Sequence, residues 1–165
     1  MSNNNISKQL KNLDVKKLKM KNGNTVESEL RRHSKILANC IMEELDAMYE
    51  SYSPSVYDRT HNLYNSVDID NEVKVDVKAS GTELSVRVFF DDGATHESFD
   101  GRDVNTAYLM NYGWEVKKDV WFKDIYHFGH YEGFHFIEKA IQKYKSKVNN
   151  PFKVRVNIGS KSFEE

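Results

Sequence analysis

Between residues 25 and 52 apolar side chains return at gaps of three, four or seven: Val26, Leu30, Leu37, Ile41, Leu45, Met48 and Tyr52. That period gathers them on one face of a helix. Asn24 followed by Glu27 matches a capping box, in which each side chain takes an orphan amide of the first turn. Ser53-Pro54 ends the helix, because the residue before a proline avoids helical geometry. From 67 to 90 the period drops to two. Val67, Ile69, Val73, Val75 and Val77 alternate with Asp68, Asp70, Lys74, Asp76 and Lys78, and after Ser80-Gly81 the series Leu84, Val86, Val88, Phe90 does the same. This predicts a β-hairpin with one apolar face that needs a helix over it, and the long helix is the expected cover.

The pattern is weaker farther on. Residues 91–102 read as a polar loop. Asp103 is placed to cap a short helix through Tyr112, with Gly113 in the left-handed position that closes many helices. Residues 114–122 read as a strand and 123–133 as a loop rich in His, Tyr and Gly. Phe134, Ile137, Ile141, Tyr144 and Val148 form a second helical stripe, ended by Asn149-Asn150-Pro151. Phe152, Val154, Val156 and Ile158 alternate as a closing strand. The expected architecture is α+β: an antiparallel sheet covered by a long N-terminal helix and a second, C-terminal helix. Residues 1–24 are set apart as a flexible basic arm, in which Ile6, Leu10 and Leu13 have helical spacing, and 25–165 as a single domain.

Charge divides the chain more sharply than the net value of -1 suggests. Residues 1–35 carry +6, residues 36–100 carry -10 and residues 101–165 carry +3. An acidic middle between basic ends suits head-to-tail contact between copies, or a face that repels polyanions, while solvated strand and helix faces explain the same charges without a partner. The lone Cys40 excludes an intrachain disulfide and falls on the apolar helix face as a buried, inert thiol. This fits folding in a reducing interior. No run is long and apolar enough for a transmembrane helix, and no signal-peptide core follows Met1, so no membrane partner is expected.

Groups that could carry chemistry are few. His127, His130 and His135 fall close in sequence, but zinc sites need three or four converging ligands at recognised spacing, and neither His-Glu-x-x-His nor a second cysteine is present. Asp91, Asp92, His96, Glu97 and Asp100 lack the fixed glycine and final glutamate of a calcium loop. Ser66, His61 and Asp58 supply the residue types of a nucleophile set, without the strained elbow such a serine sits on. No phosphate-cradling glycine loop occurs. No catalytic residue, metal or cofactor is therefore expected.

One segment is more specific. Arg59-Thr60-His61-Asn62-Leu63-Tyr64-Asn65-Ser66 resembles the Arg-Thr-Gly-x-Leu-x-x-Ser signature of the phage tail-completion and minor-tail family. There, as here, it follows a long N-terminal helix and precedes a hairpin. Tyr112-Gly113 and Phe136-Ile137-Glu138-Lys139-Ala140 are similar to later family features, and the resemblance spans roughly residues 25–148. His61 departs from the pattern by standing where the family has glycine. In the segment itself, Arg59 is suited to fork onto a carboxylate or helix-end carbonyls, Thr60 to cap a turn, and Leu63 to anchor the entry to the hairpin. Arg59, Thr60, Leu63 and Ser66 are thus the expected structural motif.

The resemblance implies a structural virion protein, not an enzyme: a tail terminator or neck component, forming a ring with itself, often sixfold, that caps the tail tube and joins it to the head. The implied partners are further copies, the tail tube protein, the head–tail connector or collar protein, and a sheath protein. DNA would pass through the channel without specific binding, with Asp68, Asp70 and Asp76 as candidate channel-facing acids. The implied location is the host cytoplasm during assembly and then the tail or neck of a virion or phage-like particle. Two readings compete with this one: a metal-dependent nuclease or hydrolase using His127, His130 and His135, and a nucleic-acid-binding accessory protein using the lysine arm and second helix.

Overall fold

The apolar stripe of the first helix becomes one wall of the core. The computed structural model describes residues 14–51, 61–78, 81–91, 95–97, 103–116, 129–149, 152–158 and 161–164. In it, α1 (Val26–Ser51) buries Leu30, Ala38, Cys40, Ile41, Leu45 and Met48. The predicted capping pair is not the one used: Thr25 Oγ1 accepts the Ser28 amide at 3.2 Å. Asn24 turns its amide to the Glu29 carboxylate instead. Residues 14–25 form a short 3-10 turn (Val15–Lys17) and a tight return in which Lys19 bridges Thr25.

α2 (Asn62–Asn65) is a single turn leading into the hairpin. β1 (Val67–Ile69) pairs with β4 (Val88–Phe90), and β2 (Lys74–Lys78) pairs with β3 (Gly81–Ser85), both antiparallel. Ile69 faces Val88, whereas Lys74 faces Ser85, so four residues on one strand oppose two on the other. A surplus of two keeps the side-chain alternation in phase, because one extra residue flips the faces and a second restores them.

The expectation that the helix covers the whole hairpin fails at its outer half. Exposure climbs along one face from Val73 at 2% to Val75 at 42% and Val77 at 72%. The inner half lies against α1; the outer half projects beyond it.

The remaining ladders are β5 (Thr95–Glu97) with β6 (Asp103–Asn105), β7 (Gly113–Val116) with β8 (Gly129–Glu132), and β9 (Arg155–Ile158) with β10 (Lys161–Glu164). Three expectations change here. The polar loop contains β5; Asp103 lies in β6, so the cap of α3 (Thr106–Tyr112) is Asn105, whose side chain accepts the Tyr108 amide at 3.0 Å; and residues 129–132 are a strand rather than loop. The mixed α+β class holds, with pairing among the described residues divided into five two-stranded antiparallel ladders.

α4 (Phe136–Lys147) closes the core with Phe136, Ile137, Ala140, Ile141 and Tyr144, joined by Leu63, Ala107, Val148 and Val154. Its N-cap, His135, makes no side-chain cap hydrogen bond and sits at φ 50. Asn111, fully buried at the end of α3, supplies the cap from outside by accepting the Ile137 amide on Oδ1 at 2.9 Å. On the rim, Lys143 reaches Glu44 at 2.8 Å and Glu43 at 2.9 Å, and Lys147 reaches Glu43 at 2.8 Å, tying α4 to α1.

Candidate functional site

The segment singled out in the sequence is built as a connector between α1 and the hairpin. Arg59 and Thr60, with the carboxylate fork and turn cap expected of them, lie outside the described residues. His61 opens the described part with φ 53 and ψ 18, a left-handed geometry rare for a residue with a Cβ. Its ring lies 4.9 Å from that of Tyr49 on α1. Leu63, 3% exposed, enters the main core. The Ser66 hydroxyl donates to the Leu63 carbonyl at 2.7 Å, and the Ser66 carbonyl accepts the Asp91 amide at 2.8 Å. One serine therefore closes the α2 turn and fixes the base of the hairpin. The Ser66 hydroxyl is thus directed to a backbone carbonyl, and Asp58 lies outside the described residues.

The three acidic candidates of the hairpin separate by environment. Asp68 is exposed, and its carboxylate accepts the amide of Ile69 at 2.7 Å. Asp76 is exposed on the outer half. Asp70 is 12% exposed and lies between Arg87 at 3.3 Å and Lys74 at 3.7 Å. Its charge is balanced within the hairpin, so only Asp68 and Asp76 present charge outward.

A second polar assembly, not anticipated from sequence, surrounds the start of α1. Glu29 is 3% exposed and accepts hydrogen bonds from Asn24, from Asn22 at 3.0 Å and from Arg32 at 2.9 Å. The Asn24 amide, then Arg32, hold its carboxyl down at about 2. Arg32 also meets His33 Nε2 at 3.0 Å. A guanidinium has no acceptor, so His33 accepts on Nε2 and donates from Nδ1 to the Tyr144 hydroxyl at 2.7 Å. That oxygen also accepts the Phe152 amide at 3.2 Å. Burial, followed by the Arg32 charge, lowers the pKa of His33 below its ordinary 6.5 and keeps the ring neutral. The chain Asn24–Glu29–Arg32–His33–Tyr144 joins α1, α4 and the approach to β9. Beside it a shallow groove of about 540 Å³ is lined by Thr25, Glu27, Ser28, Arg31, Arg32 and Lys35. Arg31 is already engaged with Glu27 at 3.3 Å and with the Asn71 carbonyl at 2.8 Å.

Of the histidines considered for a metal, two fall among the described residues. His127 lies outside the described residues, His130 is exposed, and His135 stands 4.0 Å from Glu138. Among the described residues no group of three or more His, Cys, Asp or Glu is arranged to hold a metal ion. Nearby, the Tyr112 phenol is pushed up to about 12, first by burial and then by the Glu138 charge, and so stays protonated. Cys40 is fully buried and burial raises its thiol. No helix among the described residues is long and apolar enough to cross a membrane. Comparison with family models, with curated proteins and with solved structures gave no match.

Proposed function

We propose that the chain is a ring-forming structural protein of a tailed phage or phage-like particle, a tail terminator or neck component that caps the tail tube and joins it to the head or collar. The observation that carries this reading is the backbone at His61. In the motif that the segment resembles, glycine follows Arg-Thr, and glycine is the residue that takes positive φ without a steric penalty. Here histidine stands in that place and still has φ 53. His61 thus takes a geometry that suits glycine, the residue the motif has there. The Leu and Ser of the motif also have work that needs those residue types: Leu63 fills the core and Ser66 closes the turn.

Other features agree. A long helix precedes the segment and a hairpin follows it. Gly113, after Tyr112, has φ 81 and ends α3, while Phe136, Ile137 and Ala140 are at most 1% exposed. Function by assembly needs surface left over for neighbours. The outer hairpin has exposed valines, and β2 and β3 pair only with each other among the described residues, which leaves outward edges for strand addition. Identical subunits joined through unlike surfaces close into a ring when the rotation per subunit fits. In this reading the chain acts by binding, with copies of itself, tube, connector or collar and sheath as partners. Its acidic middle faces the DNA path without gripping it. Mass by light scattering tests it: a discrete multimer, alone or seeded by tail tubes, is the expected result, and a persistent monomer in both conditions contradicts it.

A further inference from the structure

Among the described residues β2 pairs only with β3, and all five of its residues are exposed. Val75 is 42% and Val77 72% exposed, whereas Val73, where the chain enters the fold, is 2%. An edge strand of this kind offers its outward amides and carbonyls to a further strand. The ribbon also places one charge badly for a single copy. Asp76 stands directly opposite Glu83 across the ladder, a position in which like charges repel. Glu83 has Lys78 as its cation, while Asp76 forms no ion pair among the described residues.

The order of residues 72–78, Glu-Val-Lys-Val-Asp-Val-Lys, is complementary to its own reverse. When two copies of this segment lie antiparallel with Val75 on the two-fold axis, Lys74 of each meets Asp76 of the other, Lys78 meets Glu72, and Val73 meets Val77. With the axis at Asp76 instead, Asp76 meets itself and Lys74 meets Lys78. With the axis at Lys74, Lys74 meets itself and Asp76 meets Glu72. A slip of one residue in the pairing sets valines against the charged face. The Val75 register matches charge and face together over all seven residues.

We propose that two copies of the chain join through β2, antiparallel about an axis at Val75, so that the two hairpins form one four-stranded sheet. Each Asp76 then gains the other copy's Lys74, and each Val77 comes level with Val73, where the other copy's core begins. The contact uses the same surface on both copies and stops at two. It is a state of the free chain and is independent of the ring reading, which needs unlike surfaces.

Sedimentation velocity on the full chain over a concentration series tests the proposal. The unaltered chain is expected to dimerise. Asp76→Lys and Lys74→Asp, each of which sets like charges against each other in the pair, are expected to weaken the dimer by about tenfold or more. An equimolar mixture of the two variants is expected to recover it as a mixed dimer, because all four positions are then matched again. Cys40 is fully buried, so a cysteine introduced at the edge reports alone. Under mild oxidation Val75→Cys is expected to cross-link to its own copy. Val77→Cys is not, since the two 77 positions lie more than about 10 Å apart in this register. A chain that stays monomeric throughout overturns the proposal. So do single variants that dimerise as well as the unaltered chain, a mixture that stays monomeric, or cross-linking at 77 as ready as at 75.

Discussion

Asn111 and Glu138 lock the end of one helix to the start of another. Asn111, at the end of α3, donates from Nδ2 to both carboxylate oxygens of Glu138 in the first turn of α4, at 2.9 and 3.2 Å, while its Oδ1 takes the Ile137 amide. The backbone runs just as close: a Cβ on Gly133 would lie 2.0 Å from the Asn111 carbonyl oxygen. This contact sets α4 against α3, and hence the core face of Phe136 and Ile137. Asn111→Ala leaves a buried amide unmatched and should destabilise the fold by about 1–3 kcal/mol in urea unfolding. Gly133→Ala forces the backbones apart, with an expected loss of about 1–3 kcal/mol or more. Equal stability of both variants and the unaltered chain would show that no such lock operates.

Two buried groups make stability fall in acid. The Glu29 carboxyl is held at about 2 against an ordinary 4.5, so its stabilisation is complete above 4.5 and is lost as pH drops toward 2. His33 is also depressed, so the unfolded chain takes up its proton first, and stability declines as pH falls below 6.5. Thermal midpoints should therefore drop in two windows. Glu29→Gln should flatten the lower one, and His33→Phe the upper. Parallel curves for all three proteins would contradict these assignments.

The left-handed residue at the head of α2 gives a test of the connector. His61→Gly relieves the backbone but frees the unfolded chain and loses the ring contact with Tyr49. The expected change is small, within about 0.5–1 kcal/mol. His61→Val places a β-branched side chain at positive φ and should destabilise by about 1–3 kcal/mol. Equal tolerance of glycine and valine would show that the φ is not required.

The acidic residues of the hairpin should not behave alike. Charge reversal of Asp68 and Asp76, both exposed, should leave folding intact and impair DNA passage through assembled particles. Reversal of Asp70 breaks its pairing with Arg87 and Lys74 and should lower the melting temperature of the isolated protein. If the Asp68/Asp76 variant fails at assembly instead, these residues face a subunit contact rather than a channel.

Much of the fold was legible because its helices have strong periods. Both amphipathic stripes, the two alternating arms of the hairpin and the helix-ending Gly113 follow from spacing and from the few residues that tolerate unusual backbone geometry, whereas Gly81, expected in the turn, opens the second arm opposite Lys78. Less was legible where long-range contacts decide. Alternation identified Val75 and Val77 as one face but said nothing of where the helix stops covering it. Asn24 has the right type for a cap, but the helix begins one residue later with Thr25 in the capping place, and Glu29, two residues beyond the expected partner, takes the Asn24 amide. The buried chain through His33 and Tyr144 joins residues 111 positions apart, which no local pattern signals. Asn111 resembled any polar residue near a helix end, and Gly133, whose missing side chain lets the two backbones meet, was its only trace.

The central claim is assembly at a tube end, and electron microscopy of purified tail tubes incubated with the protein tests it most directly. The predicted result is ring-shaped density added at one end of each tube, with tube lengthening arrested there. Bare tube ends that continue to grow in excess protein would contradict it.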